Sequence, residues 1–233
     1  MSRLYGRGTH SYRIDGPSGA GKGTVARAVA AKLGYQHVDT GAMYRAVAWK
    51  ASLEKVAFDD EAGLSKLTER VTFGFEDGRM FIDGDDVTEA IRTPEMDVAA
   101  AAVAKLPDVR RALVARQRAL GESGGLVMEG RDIGTVVFPN ATVKIYLDAT
   151  ADERARRRAA DPAHASGRGH DLAFVATALA TRDELDRTRA ASPLKLAEDA
   201  DFVDTTGVPV EQVVQRVLTL VHAKLGGSDS EEP

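Results

Sequence analysis

The sequence predicts an α/β protein with a predominantly parallel sheet, and two observations support that class. Short strand-like segments alternate with longer helix-like segments along the 233 residues, as expected when crossover helices join parallel strands. In addition, Leu126–Met128 and Val143–Leu147 are short apolar runs, typical of parallel strands that are buried on both faces. We therefore expect the sheet to lie in the interior of the molecule.

The N-terminal elements follow this alternation. Residues 10–14 (His-Ser-Tyr-Arg-Ile) are placed to form the first strand, although they are poorer in apolar residues than a central strand usually is. The patterns predict a helix over 22–34, a short extended segment over 35–38 and a second helix over 42–53.

Residues 57–97 have a different pattern. Apolar residues alternate within 71–75 and again within 80–82, and the pair Asp77-Gly78 between them favours a tight turn. This is the signature of a β-hairpin. Antiparallel strands within an otherwise parallel pattern indicate a separate inserted module.

The rest of the chain returns to alternating elements. Helices are predicted over 99–104, 109–120, 171–190 and 209–225, and a strand over 200–203. Thr150-Ala-Asp-Glu153 is a capping box that opens a basic helix. Residues 226–233 are Gly, Ser, Asp, Glu and Pro, and we expect this acidic tail to be disordered because it has little apolar surface to bury.

Composition excludes several classes of protein. No cysteine is present, so disulfides, thiolate metal sites and thiol nucleophiles are ruled out. The net charge of −4 gives no reason to expect nucleic-acid binding. The sequence lacks an apolar run of roughly 18 residues and an apolar signal-like start, so we expect a cytoplasmic protein without a membrane partner.

The strongest motif is a phosphate-binding loop. It consists of Gly16, Pro17, Ser18, Gly19, Ala20, Gly21, Lys22, Gly23 and Thr24. The pattern Gly-x-x-x-x-Gly-Lys places backbone N–H groups around a phosphate at a helix N-terminus, and Lys22 can reach the β- and γ-phosphates of a nucleotide. Gly23 stands where the usual motif has the Ser or Thr that binds magnesium, so the metal ligands are left unassigned.

The remaining motifs favour a small kinase. A signalling GTPase would carry an Asn-Lys-x-Asp motif, and a motor ATPase an apolar run ending in paired acids; neither occurs. The chain instead has many scattered arginines, as expected where transfer between two nucleotides gathers several negative charges.

Several segments then resemble the bacterial cytidylate kinase family. They are the loop, Asp39-Thr-Gly-Ala-Met-Tyr-Arg45, Glu129-Gly-Arg-Asp-Ile-Gly-Thr-Val-Val-Phe-Pro139 and Arg182-Asp-x-x-Asp186-x-x-Arg189. The resemblance runs from about 15 to 220. It implies a P-loop NTPase-type three-layer fold with a five-stranded parallel sheet, a core of 1–56 and 98–225, a monophosphate-binding module with a β-hairpin at 57–97, and a short arginine-rich lid at 152–170.

The resemblance also implies roles for individual residues. Arg45 and Arg131 are assigned to the acceptor phosphate, and Arg189 is assigned to a position near the transferred phosphate. Arg182 and Asp186 are assigned to the acceptor sugar, Asp132 and Thr40 to the base, and Arg110 to the acceptor nucleotide. Lys22, Arg131 and Arg189 would be catalytic. Arg154, Arg157 and Arg158 share one face of the lid helix by spacing and are assigned to ATP.

Each assignment has a structural alternative. Arg182, Asp186 and Arg189, at i, i+4 and i+7, could be a surface ion-pair ladder on one helix face. Arg131 and Asp132 could pair with each other, and Arg110 could pair only with Asp108 or an acid of the tail.

The family commonly has a serine that contacts the pyrimidine where this chain has Ala101. Cytosine preference could therefore be weaker here.

The predicted activity is transfer of the γ-phosphoryl group of magnesium–ATP to CMP or dCMP by a monomer. The nearest rival is a kinase of UMP, AMP or shikimate, against which Asp132 and the insert argue. A second rival is a regulatory nucleotide-binding protein that performs no chemistry, against which Lys22 and the arginine set argue.

Overall fold

The computed structural model describes residues 11–76, 78–161 and 171–226. Five parallel strands form the central sheet: β1 (Ser11–Asp15), β2 (Gln36–Asp39), β6 (Leu126–Gly130), β7 (Val143–Asp148) and β8 (Asp201–Asp204). Their spatial order is β2-β6-β1-β7-β8. The predicted five-stranded parallel sheet is therefore confirmed, with β1 at its centre.

A second sheet and the helices complete the described part of the chain. The second sheet is antiparallel and contains β3 (Phe73–Glu76), β4 (Arg79–Ile82) and β5 (Asp85–Asp86). The α-helices are α1 (Lys22–Leu33), α2 (Thr40–Glu54), α3 (Glu61–Arg70), α4 (Pro94–Val103), α5 (Pro107–Gly121), α6 (Ala151–Ala160), α7 (Leu172–Thr188) and α8 (Val210–Gly226). A π-helix, Ile133–Val137, follows β6.

Strand β1 is central despite its polar sequence because its two charged side chains, Arg13 and Asp15, have internal partners. The carboxylate of Asp15 accepts hydrogen bonds from the backbone N–H groups of Ile133 and Gly134, at 2.8 and 2.7 Å. Tyr12 and Ile14 are buried in the core. The guanidinium of Arg13 lies over the ring of Phe138, 3.6 Å from its centroid, and burial lowers the pKa of Arg13 to about 10. The first-strand prediction is confirmed, one residue further along than expected.

Two packed layers flank the central sheet. On one side, α1 and α8 pack against β1 and β7, with Val29 and Val217 fully buried. On the other side, α2 and α5 form a larger core. Ile82 of β4 belongs to that second core together with Met43 and Leu113. The apolar interior thus continues from the main sheet into the second sheet.

Most element predictions are confirmed with shifts at their ends, and three features were not predicted: α3, β5 and the π-helix. The hairpin of β3 and β4 is present, with Gly78 at φ +76°; Asp77 lies outside the described residues. Helix α3 was not predicted, yet Asp60 caps it and Leu64 and Leu67 are buried. The π-helix was not predicted either.

Two predicted segments cannot be compared with the structure in full. Residues 162–170 of the predicted lid and residues 227–233 of the predicted tail lie outside the described residues. Within the parts of the chain that the structure describes, no helix combines the length and the apolar character needed to cross a bilayer.

Candidate active site

The phosphate-binding loop connects β1 to α1 and is held tightly against β7. Gly16 has φ +147°, and a Cβ on it would lie 2.0 Å from the backbone oxygen of Leu147. Only glycine fits this position. The loop therefore depends on close backbone packing as well as on its pattern of N–H groups.

Lys22 lies at the first position of α1 and is buried, with 6% of its surface exposed. Its Nζ donates a hydrogen bond to the backbone oxygen of Pro17, at 2.8 Å. Burial first, and then the nearby charge of Arg131, lower the pKa of Lys22 to about 7. An anion beside Nζ would restore the charged form, because an opposite charge favours it.

Gly23 is explained by Glu129, a residue to which the sequence argument gave no role. A Cβ at position 23 would lie 2.9 Å from Oε1 of Glu129. The same oxygen lies 3.2 Å from Nε2 of His37. A serine or threonine in the usual magnesium-binding position would therefore require the buried carboxylate of Glu129 to shift. The only sequence signal was the place of Glu129 at the end of an apolar strand.

The described residues contain no group of three His, Cys, Asp or Glu side chains that could hold a metal ion. Magnesium that binds with a nucleotide keeps several waters and is held largely by substrate phosphates, so it does not require such a group. The described residues therefore do not identify side-chain ligands for magnesium, and the metal ligands stay unassigned.

Asp186 on α7 is the centre of an arginine cluster. Its carboxylate accepts a hydrogen bond from Nε of Arg131 at 3.1 Å and from Nη1 of Arg189 at 3.3 Å, and it lies 3.5 Å from Nε of Arg182. Burial alone would raise the pKa of Asp186, but these three arginines hold it below its usual range. The surface ladder is therefore excluded, since Asp186 is buried and reaches across to Arg131.

The prediction that Arg182, Asp186 and Arg189 share one helix face is wrong for Arg189. Helix α7 ends at Thr188, and Arg189 has an extended backbone with φ −60° and ψ 139°. Pro193 follows closely, and proline cannot continue a helix. The side chain of Arg189 nevertheless turns back to Asp186, and its Nη2 lies 3.8 Å from Oδ1 of Asp132.

Asp132 is paired with Arg110 rather than with Arg131. Nη2 of Arg110 donates to Oδ2 of Asp132 at 2.5 Å, and Nη1 donates to the backbone oxygen of Ala104 at 3.2 Å. The pairing of Arg110 with Asp108 is wrong, because Asp108 binds Arg111. The pairing of Arg131 with Asp132 has no counterpart in the structure, where Arg131 binds Asp186.

Arg45 and Thr40 lie at the start of α2. Nη2 of Arg45 donates to Asp39 at 2.9 Å. The hydroxyl of Thr40 donates to the backbone oxygen of Glu129 at 2.7 Å. Thr40 therefore retains only its acceptor capacity for a bound base.

Several arginine N–H groups around these acids are buried and have no hydrogen-bond acceptor among the residues that the structure describes. They are Nε of Arg45, Nε of Arg110, Nε of Arg182 and Nη2 of Arg189. Buried donors are rarely left unpaired outside functional sites. Their convergence on one region indicates a ligand rich in acceptor atoms.

The three arginines of α6 have different partners. Arg154 is buried and donates to the backbone oxygens of Ser18 and Ala149, and it pairs with Asp183. Arg157 donates to the hydroxyl and the carbonyl of Thr205 and lies beside the loop at Gly21.

Arg158 turns to Asp97 on α4, at 3.0 Å. The three arginines that spacing placed on one helix face therefore make separate contacts. Arg154 and Arg157 contact the phosphate-binding loop, whereas Arg158 contacts α4.

Ala101 of α4 reaches the arginine cluster. It lines a small cavity together with Arg182, Asp186 and Arg189. Its methyl group therefore faces the residues that the family resemblance assigns to the acceptor.

A cavity of about 400 Å³ lies beside the loop rather than over it. It is lined by residues of α1, β2 and the second sheet, together with Asp39 and Arg45 at the start of α2. We place the site at the phosphate-binding loop and the arginine cluster rather than in this cavity. No residue of the loop lines the cavity, and neither do Arg131, Asp186 and Arg189.

A loop of this geometry, at the carboxyl end of a central parallel strand and facing an arginine cluster, defines a phosphate-loop kinase. The family model for cytidylate kinase matches residues 13–223. The chain belongs to the cytidylate kinase family.

Two relatives illustrate the closeness of this match. The chain is 48% identical over 217 residues to the cytidylate kinase of Geobacillus sp. (strain WCH70), covering 91% of this chain and 96% of that protein. It is 48% identical over 215 residues to that of Pelotomaculum thermopropionicum, covering 90% and 95%. The fold is also similar to that of a protein from Eubacterium ventriosum, with a TM-score of 0.50, 10% identity and coverage of 90% and 96%.

Proposed function

We propose that the chain transfers the γ-phosphoryl group of magnesium-bound ATP to CMP or dCMP, giving ADP and CDP or dCDP. This proposal rests on one observation, a connection between the phosphate-binding loop and the arginine cluster. The backbone N–H of Ser18 in the loop donates to Asp183 of α7 at 3.2 Å. One turn further along the same helix, Asp186 holds the arginine cluster. Helix α7 thus contacts the donor loop through Asp183 and the acceptor cluster through Asp186.

The loop binds the donor. Its backbone N–H groups, at the N-terminus of α1, surround the phosphates of ATP, and Lys22 contacts the β- and γ-phosphates. Because Lys22 is buried, its charge acts in a medium of low polarity, where electrostatic stabilisation is stronger than in water. Arg157 adds positive charge next to Gly21.

The arginine cluster binds the acceptor. Arg45 and Arg131 bind its phosphate, Arg189 contacts the transferred phosphate, and Arg182 with Asp186 binds its sugar. Arg131 is fixed by Asp186 at 3.1 Å, so it is already oriented before the nucleotide arrives. Preorganised cations of this kind stabilise charge that spreads over the transferred group.

Asp132 and Arg110 read the base, with Thr40 as a further contact. Cytosine has an exocyclic amino group that can donate to a carboxylate, whereas uracil has a carbonyl in the same place. Oδ2 of Asp132 is taken by Arg110. A uracil carbonyl would leave the remaining acceptor unpaired in a buried site, which disfavours UMP.

The transfer is direct, without a covalent enzyme intermediate. The acceptor phosphate oxygen forms a bond to the γ-phosphorus while the bond between that phosphorus and the β–γ bridging oxygen breaks, so ADP leaves with the electron pair. Lys22, Arg131 and Arg189 stabilise the spreading negative charge. Closure of the 152–170 lid and of the 57–97 module excludes water and aligns the two nucleotides.

Magnesium, when bound with ATP, supplies further charge neutralisation at the phosphates. We place the enzyme in pyrimidine nucleotide metabolism in the cytoplasm, acting as a monomer without nucleic-acid or membrane partners. That residues 152–170 form a lid and residues 57–97 a module, and that both move as units, is part of this proposal.

The test is coupled ADP production by the purified protein with ATP and magnesium, across CMP, dCMP, UMP, AMP and shikimate. We expect turnover with CMP and dCMP and much slower turnover with UMP. Lys22→Met should lower kcat by about a hundredfold or more, as loss of a positioned charge commonly does. Lys32→Met, at the exposed end of the same helix, is the matched control and should leave kcat unchanged.

Equal rates with CMP and UMP would contradict the role of Asp132 while leaving a kinase. No turnover with any acceptor, despite ATP binding, would leave only a nucleotide-binding protein.

A further inference from the structure

Asp97 lies where three arginines from three different helices meet. It is in the first turn of α4. Its Oδ2 accepts a hydrogen bond from Nη2 of Arg158 at 3.0 Å, and its Oδ1 lies 3.9 Å from Nη1 of Arg45. Its backbone oxygen accepts from Nη1 of Arg182 at 3.1 Å. None of these arginines is on α4, so the cluster is a tertiary contact.

Two of the three arginines belong to the acceptor side of the proposed site, and the third comes from the lid helix. Arg45 is assigned to the acceptor phosphate and Arg182 to its sugar, while Arg158 is on α6. Arg45 is 14% and Arg158 16% exposed. Asp97 thus joins Arg158 of the lid helix to two arginines of the acceptor side.

The charges around Asp97 show what its carboxylate does. Burial and the neighbouring charge of Arg45 both lower the pKa of Arg158, and Asp97 opposes this shift. The two guanidinium groups therefore repel each other, and the carboxylate offsets that repulsion. A phosphate group carries the same sign of charge and has the same ability to accept bonds from several arginines.

We propose that Asp97 is a built-in counter-anion that competes with the phosphate of the acceptor nucleotide for Arg45 and Arg158. This inference rests on the proposed assignment of Arg45 to the acceptor phosphate. It also brings Arg158, which the family resemblance assigns to ATP, into contact with that phosphate. In the ligand-free protein, Asp97 keeps the arginines together and joins α6 to α4. When the acceptor binds, its phosphate replaces the carboxylate of Asp97 as the partner of these arginines. The strength of the Asp97 contacts therefore influences the affinity for acceptors that carry a phosphate.

The competition predicts a specific change in affinity. Asp97→Asn should bind CMP more tightly than the unchanged protein, because the phosphate no longer displaces a charge. The expected gain is about two- to fivefold, the size typical of a partly exposed ion pair. It should shrink as salt is added, because screening weakens both interactions. Cytidine, which lacks the phosphate, should bind equally well to both proteins.

The experiment is equilibrium titration of CMP, cytidine and inorganic phosphate, without ATP, into three proteins. They are the unchanged chain, Asp97→Asn and Glu95→Gln. Glu95 is the matched control, because it is in the same first turn, is fully exposed, and loses the same charge. Glu95→Gln should match the unchanged protein with every ligand. Asp97→Ala, which suits a helix, is a second variant in case the asparagine protein is unstable.

Tighter binding of CMP and phosphate by both Asp97 variants, with cytidine unaffected, supports the inference. Unchanged or weaker binding of CMP and phosphate overturns it, as does an equal gain for cytidine or for Glu95→Gln. If the unchanged protein fails to phosphorylate CMP, the proposed function is lost, whereas the phosphate titration still decides about Asp97. Failure of all proteins to bind phosphate overturns the inference as well.

Discussion

Asp183 on α7 accepts a hydrogen bond from the backbone N–H of Ser18, and its second oxygen is paired with Arg154 of α6. This carboxylate is 1% exposed. It connects the phosphate loop, the lid helix and the helix that carries the acceptor cluster, although 165 residues separate it from Ser18. A substitution here should affect stability and donor binding together.

We expect Asp183→Asn to lower the free energy of unfolding by up to about 3–5 kcal/mol, the cost of breaking a buried ion pair. The buried Arg154 would keep only Asp148, at 3.7 Å, as an acidic partner. Urea denaturation would measure this. Asp152→Asn, at an exposed position of α6, serves as the control and should change stability by about 0.5 kcal/mol or less. The double variant Asp183→Asn with Arg154→Met should recover part of the loss; no recovery would show that the pair is not the cause.

Nucleotide binding should take up a proton at Lys22. The pKa of Lys22 is lowered to about 7, so above that pH the free protein holds mainly the neutral amine. Bound phosphates raise this pKa and restore the charge. ATP affinity should therefore fall as the pH rises above 7, and calorimetry at pH 8.5 in buffers of different ionisation enthalpy should show uptake of about one proton.

Lys22→Met should abolish that proton uptake, while Lys32→Met should retain it. Equal uptake in the Lys22→Met protein would assign the proton to another group. The same shift affects stability: since the unfolded chain binds the proton more tightly, the contribution of Lys22 to stability should rise with pH from about 7 to 10.5.

Gly23→Ala should destabilise the protein, because the new methyl group would meet Oε1 of Glu129 at 2.9 Å. Overpacking of this kind costs about 1–3 kcal/mol. Thermal unfolding would detect it. Adding Glu129→Asp, which shortens the side chain, should restore part of the stability. If Gly23→Ala alone is neutral, Glu129 yields more easily than its burial indicates.

Ala101→Ser should strengthen acceptor binding. The new hydroxyl would lie in the small cavity beside Asp186 and Arg189, and one added hydrogen bond is worth about 0.5–1.5 kcal/mol. We expect KM for CMP to fall by about two- to tenfold, with a smaller change for UMP. Ala102→Ser, the next residue on α4, is the control. A rise in the KM for CMP would contradict the placement of Ala101 at the base or sugar.

Local signals predicted the parts of the site that depend on neighbouring residues. The loop from Gly16 to Thr24 was predicted because its function follows from spacing within nine residues. The strand β6 was predicted from its apolar run, and the start of α6 from its capping box, which is present with Thr150 accepting from the N–H of Glu153.

The partners of the charged residues could not be predicted, because each is set by the tertiary fold. Arg131 and Asp186 are 55 residues apart in the sequence, and spacing gives no information on such a pair. Spacing also suggested that Arg189 continues a helix that in fact ends one residue earlier. Helix α3 was missed because the hairpin signal at 71–82 was taken to describe the whole of 57–97, although the buried Leu64 and Leu67 have helical spacing.

The apolar core that joins Ile82 to Met43 and Leu113 limits how this enzyme can be recombined with its relatives. A hairpin taken from another member would have to fit the buried faces of α2 and α5 as well as its own turns. Exchange of the segment alone would leave mismatched side chains in a shared interior. The hairpin and the two helices beneath it are therefore best inherited, or engineered, as one unit.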